Sequence, residues 1–493
     1  MRLGIFCICT IITLYGTAFS QKVVSLQESL NIAMDNSPQI QEARLSLKRS
    51  QETLNAQKAA LKSQFSLSVT PFSYSSDRVF NQFYNTWNTN ESKSSSASFR
   101  VSQPIKWTDG TFNIINNLRW QDSWSEFRNE QFTSFSNNLY LNYEQPLFTY
   151  NRTMLETKEL ELDLENSALN YIIRRLAVEY NVTNQFYNVY SNKLNVQIAK
   201  EEYANQKTSY QIIKNKVDAG LSAKEELYQA ELNLATSESN LQNRKVALAN
   251  SKDQFKKLIG LSIEDSLDIV GDVTHTHVKV DAHKAMQHAL EQRMELRQAT
   301  IDIETAYNDL IQTKTINEFR GDLSLTYGII GDDQDLVNVY DTPTKNQKAS
   351  ISFEIPLYDW GERESRIQAS QAVMQSQRLS LREQRKDIKI EIRELLRSLD
   401  NLTNQISIAR QNVRNAELTY EINLERYKNG DLTSMDLNLY QNQLSEKKIA
   451  LVQAIIDYKL ALLDLKISSL YDFIRDEPVS PQEITDVNLS GLW

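Results

Sequence analysis

All four histidines of the chain, His275, His277, His283 and His288, fall within one 14-residue stretch. A His-x-His pair on a strand points both rings the same way, which is the beginning of a metal site. No cysteine and no obvious carboxylate partner completes it, and a solvated linker running into a helix accounts for the same residues. A bound metal is not expected. Two acids form the second candidate. Glu226 and Asp436 each stand six residues after a glycine, Gly220 and Gly430, and the glycines are 210 residues apart. Acids so placed could cap a helix, face solvent, or gather around an axis and draw cations. The chain holds no GxxxxGK phosphate loop, no HExxH and no paired catalytic set of recognisable spacing. It is expected to be neither an enzyme nor the holder of a cofactor.

The elements that carry the two acids are long helical hairpins. Before Gly430, Ile392, Leu399, Ile406, Val413, Tyr420 and Tyr427 recur every seven residues. After it, Leu437, Leu444, Leu451, Tyr458 and Leu465 do the same. A heptad kept on both sides of one glycine is an antiparallel coiled-coil hairpin, and the glycine lets the chain leave a helix through positive φ. The pattern occurs a second time around Gly220, with Leu227, Leu234, Leu241, Leu248 and Phe255 on the returning seam. The descending helices, from Pro146 to Gly220 and from Pro356 to Gly430, are long enough for roughly 100 Å each. A helix that long, with a narrow apolar seam, needs neighbours on both sides.

Shorter helices precede each repeat. The pattern of residues 26–62, dented at Ser37-Pro38, returns at 282–318, where Ala33 matches Ala289 and Leu54 matches Leu310. Both helical stretches run into segments that alternate apolar with polar residues, the period of a half-buried strand. In the second repeat these are Leu323, Leu325, Tyr327, Ile329 and then Ile351, Phe353, Ile355, Leu357. In the first they are Phe65, Leu67, Val69 and then Leu139, Leu141, Tyr143, Leu147. The first repeat is 48 residues longer here, and the excess holds two more alternating runs, Ala97-Phe99-Val101-Ile105 and Phe112-Ile114-Leu118-Trp120. They flank the turn signal Thr108-Asp109-Gly110, and Gln103-Pro104-Ile105 echoes Gln145-Pro146-Leu147. An added hairpin over 94–124 is the simplest account.

The bulk composition agrees with long helices and few loops: 24% of residues are charged, with only 12 Gly and 8 Pro among 493 residues. The net charge of −9 gives no support to nucleic-acid binding. The N-terminus reads as a signal peptide: Arg2, an apolar run from Leu3 to Tyr15, and Ala18-Phe19-Ser20 as a cleavage site. Both cysteines, Cys7 and Cys9, lie inside it, so the processed chain is expected to have none. After Ser20 no long apolar stretch follows, and any membrane crossing must be made by β-strands.

The repeats, the strand pairs ending in Gln145-Pro146-Leu147-Phe148 and Ile355-Pro356-Leu357-Tyr358, and the hairpins at Gly220 and Gly430 together resemble the TolC family of outer-membrane efflux ducts. The resemblance covers the chain from Leu26 to about Leu470. It implies a mainly α protein with a transmembrane β-barrel, built from two tandem repeats and assembled as a trimeric α/β-barrel tube. It implies a duct of a tripartite efflux or type I secretion system. The partners would be a periplasmic adaptor, an inner-membrane pump and outer-membrane lipid, the last two supplying energy and location. A soluble periplasmic coiled-coil scaffold without a pore is the alternative, and the apolar strand faces argue against it. Six strands cannot close a membrane barrel alone, since such barrels start at about eight. Three chains would give about 18 strands, where the family usually has roughly 12, unless the added hairpin does not span.

On this reading the chain divides into a signal peptide (1–20), a periplasmic helix (21–64) and four strands (65–148). A coiled-coil hairpin follows (149–260), then a linker (261–281). The second repeat has a helix (282–320), two strands (321–358) and a hairpin (359–470), and a loosely ordered periplasmic tail ends the chain (471–493). The resemblance makes Gly220, Leu221, Ser222, Gly430, Asp431 and Leu432 the adaptor-contacting tips. It makes Glu226 and Asp436 acids of a constriction, with Tyr427 holding the tip closed. Leu432 and Leu439 stand where the family's prototype has an arginine and a further aspartate, so its closed-state charge network lacks those members here. Trp107, Tyr150 and Trp360 each lie within four residues after a strand-ending proline. They are expected to form an interfacial aromatic belt at the barrel's periplasmic rim.

Overall fold

The computed structural model describes residues 22–479, with 272 and 430 excepted. The expected signal peptide and the end of the expected tail lie outside the described residues, as does Gly430. In chain order the elements are β1 (Lys22–Val24), α1 (Leu26–Asn36), α2 (Pro38–Ala60), β2 (Gln64–Asn81), β3 (Thr86–Ile105), β4 (Gly110–Ser125) and β5 (Glu130–Leu147). Then come α3 (Arg152–Asp218), α4 (Lys224–Ile259), β6 (Leu267–Ile269), α5 (Ala282–Gln292) and α6 (Met294–Lys314). The chain continues with β7 (Arg320–Asp333), β8 (Thr344–Glu354), α7 (Glu362–Asn429) and α8 (Ser434–Ser469). Helices α3 and α7 have 67 and 68 residues.

Local chemistry sets the ends of these helices. At α1, Ser25 and Glu28 form a reciprocal capping box, the Ser25 N–H donating to Glu28 Oε2 at 2.7 Å. At α3, Asn151 accepts from the Met154 N–H at 2.8 Å. Helix α4 stops at Gly260, which has a φ of 77° and leaves no room for a side chain against Asn36.

The two repeats build separate cores around the middle of the long helices. Ala33 and Ala289 are each fully buried, one in each core. Small residues there let α1 and α5 lie close on the long helices. A third cluster, with Leu162, Leu169 and Ile172 of α3 against Met294 and Ile301 of α6, joins the repeats. The helical stretch expected over 26–62 is two helices, and so is its copy. Ser37 (φ −58°, ψ 129°) breaks the first and Arg293 (φ −64°, ψ 127°) the second. Pro38 explains the first break, because proline restricts the residue before it and suits a helix start. The second has no proline. There Arg293 is tied to Glu295 at 2.9 Å and to Glu391 of α7 at 2.6 Å.

The stretch expected as a linker is partly ordered into the core. Strand β6 pairs in parallel with β1, and Leu267 and Ile269 are buried. Between them Asp268 receives Lys193 at 2.8 Å and Lys252 at 3.1 Å. Burial by itself would raise the Asp268 carboxyl, but the hydrogen bonds from the two lysines outweigh it and hold it below the ordinary range. A carboxylate whose folded pKa is depressed adds stability that is complete above its unfolded value of about 3.9 and is lost as pH falls through the folded value. Asp268→Asn is therefore expected to lower the helical melting temperature at neutral pH, with the gap to the parent closing below about pH 3.9. An equal gap at pH 7 and pH 2.5 in thermal circular-dichroism scans would refute this role. The expected loose tail is ordered in its first part, where Tyr471–Asp472 pairs with Glu477–Pro478 and the buried Tyr471 receives Lys284 at 2.8 Å.

The six long strands form one antiparallel sheet in the order β2-β3-β4-β5-β7-β8. Its register aligns the apolar residues into rows that cross the sheet. Phe65, Val101, Ile114, Leu141 and Tyr327 lie side by side in one row, and Leu67, Phe99, Leu139 and Ile329 belong to another. The residues between these rows point to the other face: Ser66, Arg100, Ile115, Tyr140 and Gly328 form one such row. Gly328 lies under Tyr140, and a Cβ there would come 2.5 Å from the tyrosine's own Cβ. The sequence-expected hairpin of 94–124 is longer than expected and lies in the middle of the sheet, as β3 and β4. Strands β2 to β5 run well past these rows, into mostly polar stretches with scattered aromatics where alternation carries no hydrophobic signal.

Candidate functional site

The two hairpin tips meet. Leu221 and Ser222 of the first tip and Asp431, Leu432 and Thr433 of the second line one cavity of about 400 Å³, together with Lys216, Tyr427, Glu226 and Asp436. Gly220 has a φ of 75°, and the Leu221 N–H closes back onto Lys216 O at 2.8 Å, which ends α3 as a glycine turn should. In the second tip the Asp431 N–H reaches Arg426 O at 2.9 Å.

Both acids lie in the first turn of a returning helix. Glu226 accepts from the Ser222 hydroxyl, and Asp436 accepts from the Thr433 hydroxyl at 2.7 Å. Thr433 in turn accepts from the Asp436 N–H at 3.2 Å. Thr433 is the side-chain cap of α8 and Asp436 holds its hydroxyl, whereas α4 starts at Ala223 with no side-chain cap; both carboxylates lie where negative charge meets the positive end of a helix dipole. Both side chains reach the same cavity between the hairpins.

Tyr427 is the buried aromatic of the tip, only 7% exposed. Its hydroxyl lies 3.2 Å from Ser209 Oγ on α3, and the Lys216 ammonium stands 5.8 Å from its ring centroid. One turn further from the tip, Gln206 donates to Asn438 of α8 at 2.9 Å. Ser209, Gln206, Lys216 and Asn438 were not singled out by sequence reasoning. A faint signal existed: Gln206 and Ile213 precede Gly220 by fourteen and seven residues, so a glutamine sits on the seam. A polar residue at a core coiled-coil position usually serves register or specificity. Around these contacts the tips expose apolar surface, with Leu221 at 79%, Met435 at 71% and Leu439 at 54%.

At the other end of the long helices, the β3–β4 turn is fastened to the start of α3. Asn151 Nδ2 donates to Lys106 O at 2.8 Å, and Asp109 accepts from the Thr153 N–H at 3.1 Å. Trp107 and Tyr150 are thereby held at one junction of sheet and helix. Trp107 is 84% exposed and Trp360, at the matching junction of the second repeat, 88%. The side chain of Tyr358 packs edge-on against Trp360 at 4.7 Å.

Residues 285–468, from α5 to the end of α8, match the family described as outer membrane efflux protein. No curated protein matches the chain. The Campylobacter jejuni CmeC outer membrane channel superposes with a TM-score of 0.70 at 17% identity, over 94% of this chain and 90% of that one. The Vibrio cholerae outer membrane protein VceC does so with a TM-score of 0.65 at 15% identity, over 92% and 97%. The Neisseria gonorrhoeae MtrE channel, solved in its open state, gives 0.65 at 12% identity, over 90% and 88%. At such identities the likeness establishes the fold, which extends over both repeats and not only over the matched domain.

The four histidines, around the start of the matched segment, do not converge. His275 packs edge-on against Tyr458 at 4.8 Å and His288 lies 4.9 Å from the Tyr471 ring. Burial is the first cause that holds the His275 imidazole below its ordinary pKa, with the Arg410 charge second. Among the described residues, no group of three or more His, Cys, Asp or Glu is placed to hold a metal ion.

Proposed function

We propose that this chain is the passive outer-membrane duct of an export system, working as a homotrimer with a periplasmic adaptor and an inner-membrane pump. The observation that carries the reading is the sheet: one face is a band of aligned apolar rows, and it sits on top of two helical hairpins of about 100 Å. Lipid is the environment in which such a face is stable. A helical stem that long is what a path across the periplasm requires. The sequence holds no GxxxxGK phosphate loop, and this reading assigns the work of transport to the partner pump. The exposed Leu221, Met435 and Leu439 at the tips suit them to dock an adaptor. Glu226, Asp436 and Tyr427 form the gate, and Trp107, Tyr150 and Trp360 the aromatic belt on the periplasmic side of the bilayer. A poreless periplasmic scaffold would have no use for the apolar rows.

Trimerisation follows because neither the sheet nor the helical layer closes on itself in one copy. Glutaraldehyde cross-linking of protein extracted from outer membranes into mild detergent should give a ladder that ends at three copies. A ladder ending at one or two copies, or recovery of the protein without detergent, would overturn the proposal.

A further inference from the structure

The inserted hairpin changes the duct itself. We infer that three copies join edge to edge into one barrel to which each gives six strands, 18 in all, with β2 of each copy paired to β8 of the next. The inference rests on the trimeric duct proposed above and specifies the wall of that duct.

Four observations carry it. First, β2 and β8 are the edges of the sheet, and each has one unpaired side. All of β8 and all but the last residue of β2 are exposed, whereas β4, inside the sheet, is mostly covered. Unpaired backbone groups facing lipid are not tolerated, so these edges need a partner. Second, six antiparallel strands leave β2 and β8 running in opposite directions, and a β8-to-β2 junction continues the antiparallel pattern. Third, one apolar row, Phe65-Val101-Ile114-Leu141-Tyr327, runs without a gap from β2 through β3 and β4 to β5 and β7, and the next, through Leu67, Phe99, Leu139 and Ile329, is broken only at Asn116 of β4. A hairpin standing outside the wall would have no reason to carry its apolar residues in register with strands on both sides. Fourth, the insertion repeats a structural clasp. Gln103 donates to Leu61 O at 3.0 Å and to Pro104 O at 2.7 Å, and Gln145 donates to the turn carbonyl of Thr108 and to Pro146 O at 2.8 Å. Each Gln-Pro pair ties its strand to the segment that precedes its hairpin, so the second hairpin is seated in the wall in the same way as the first.

Barrel diameter grows nearly in proportion to strand number. At a strand spacing of about 4.8 Å and a tilt of about 40°, 18 strands give a backbone diameter of about 36 Å, against about 24 Å for 12. The face opposite the apolar rows contributes mainly short side chains from β3, namely Ser94, Ser96, Ser98 and Ser102, with Arg100 among them. Such residues leave the extra width open to water.

Cysteine pairs test the wall directly, because the chain's own Cys7 and Cys9 lie in the expected signal peptide. Leu67→Cys on β2 is combined in turn with Lys345→Cys, Gln347→Cys, Ala349→Cys and Ile351→Cys on β8. Oxidation should link neighbouring copies at one of these positions and give a covalent trimer on a non-reducing gel. Leu67→Cys with Leu139→Cys on β5 should stay unlinked, since two strands separate them. A bond between Leu67 and Leu139 inside one chain, or no β2–β8 bond at any position in protein that glutaraldehyde shows to be trimeric, would overturn the inference while leaving the duct reading intact. Absence of a trimer by glutaraldehyde would overturn the duct reading itself. A second measurement does not depend on cysteine variants. Deleting 104–145 joins Gln103 to Pro146 and restores one Gln-Pro clasp, and electron-microscopic averages should show the parent barrel about 1.5-fold wider than the deletion variant. Equal diameters would overturn the inference.

Discussion

Val101→Arg should prevent the barrel from assembling. Val101 sits in β3 with Phe65 on one side and Ile114 on the other, in a row flanked by further apolar rows. An arginine facing lipid near the bilayer midplane costs about 2–4 kcal/mol, and three copies carry the change at once, for a total of about 6–12 kcal/mol. That is comparable to the whole stability of a typical domain. The matched control is Ser102→Arg, one residue along the strand and on the opposite face, where Arg100 is already accommodated. The control should assemble as the parent does. The measurement is the amount of detergent-resistant trimer recovered from outer membranes. Equal recovery of Val101→Arg and the parent would mean that β3 does not face lipid, and the added hairpin would lose its place in the wall.

Tyr427→Ala should turn a closed duct into a leaky one. The tyrosine joins α7 to α3 through the Ser209 contact and lies beneath Lys216, with 7% of its surface exposed. Truncating a buried aromatic removes packing and leaves a cavity, at about 3–5 kcal/mol in a full core. If about 2 kcal/mol of that falls on the closed tip alone, the open population rises roughly 30-fold. Ser209→Ala removes the hydroxyl partner and keeps the ring, so it should leak less. Conductance across planar bilayers and sensitivity of cells to large antibiotics read the effect. An unchanged conductance for Tyr427→Ala would place the closing contact elsewhere. The acids of the same cavity act on selectivity. Glu226→Gln with Asp436→Asn keeps acceptors for Ser222 and Thr433 and removes two charges per copy. The double variant should show a smaller reversal potential in a salt gradient with trimers intact. An unchanged potential would leave the two acids as first-turn helix charges only.

Much of this architecture is written in the sequence because it rests on periodic burial. Heptads around Gly220 and Gly430 specify helices that must find neighbours along one stripe, and Ile392, Leu399, Ile406 and Leu465 are indeed buried. Alternation in β3 to β5 specifies strands with one apolar face. Where burial is not periodic, the sequence was silent. The distal halves of β2 to β5 are mostly polar with scattered aromatics and are strands because each pairs with the next. At the bulge between Thr70 and Ser73 the phase of β2 shifts, so Tyr74 joins the face that Val69 occupies. Strand β6 is three residues long and gains its conformation from β1, more than 240 residues earlier. The break at Arg293 has no proline to announce it, and its charges are answered partly by Glu391 on another helix.

The tip separates the two kinds of information most sharply. The matching positions of Glu226 and Asp436 are visible at a fixed offset, because each begins a helix after a glycine turn, and that is a local requirement. That both line one cavity is not local. It depends on α3 packing against α7 and α8, which brings Ser209 to Tyr427 and Gln206 to Asn438 across more than 200 residues of chain. Apart from Gln206, which falls on the heptad seam, the neutral polar side chains of these hydrogen bonds leave no period and no composition signal, since the same residues would be equally at ease in water. Their partners are decided by which helix faces which, and that is a property of the packed hairpins and not of any one segment.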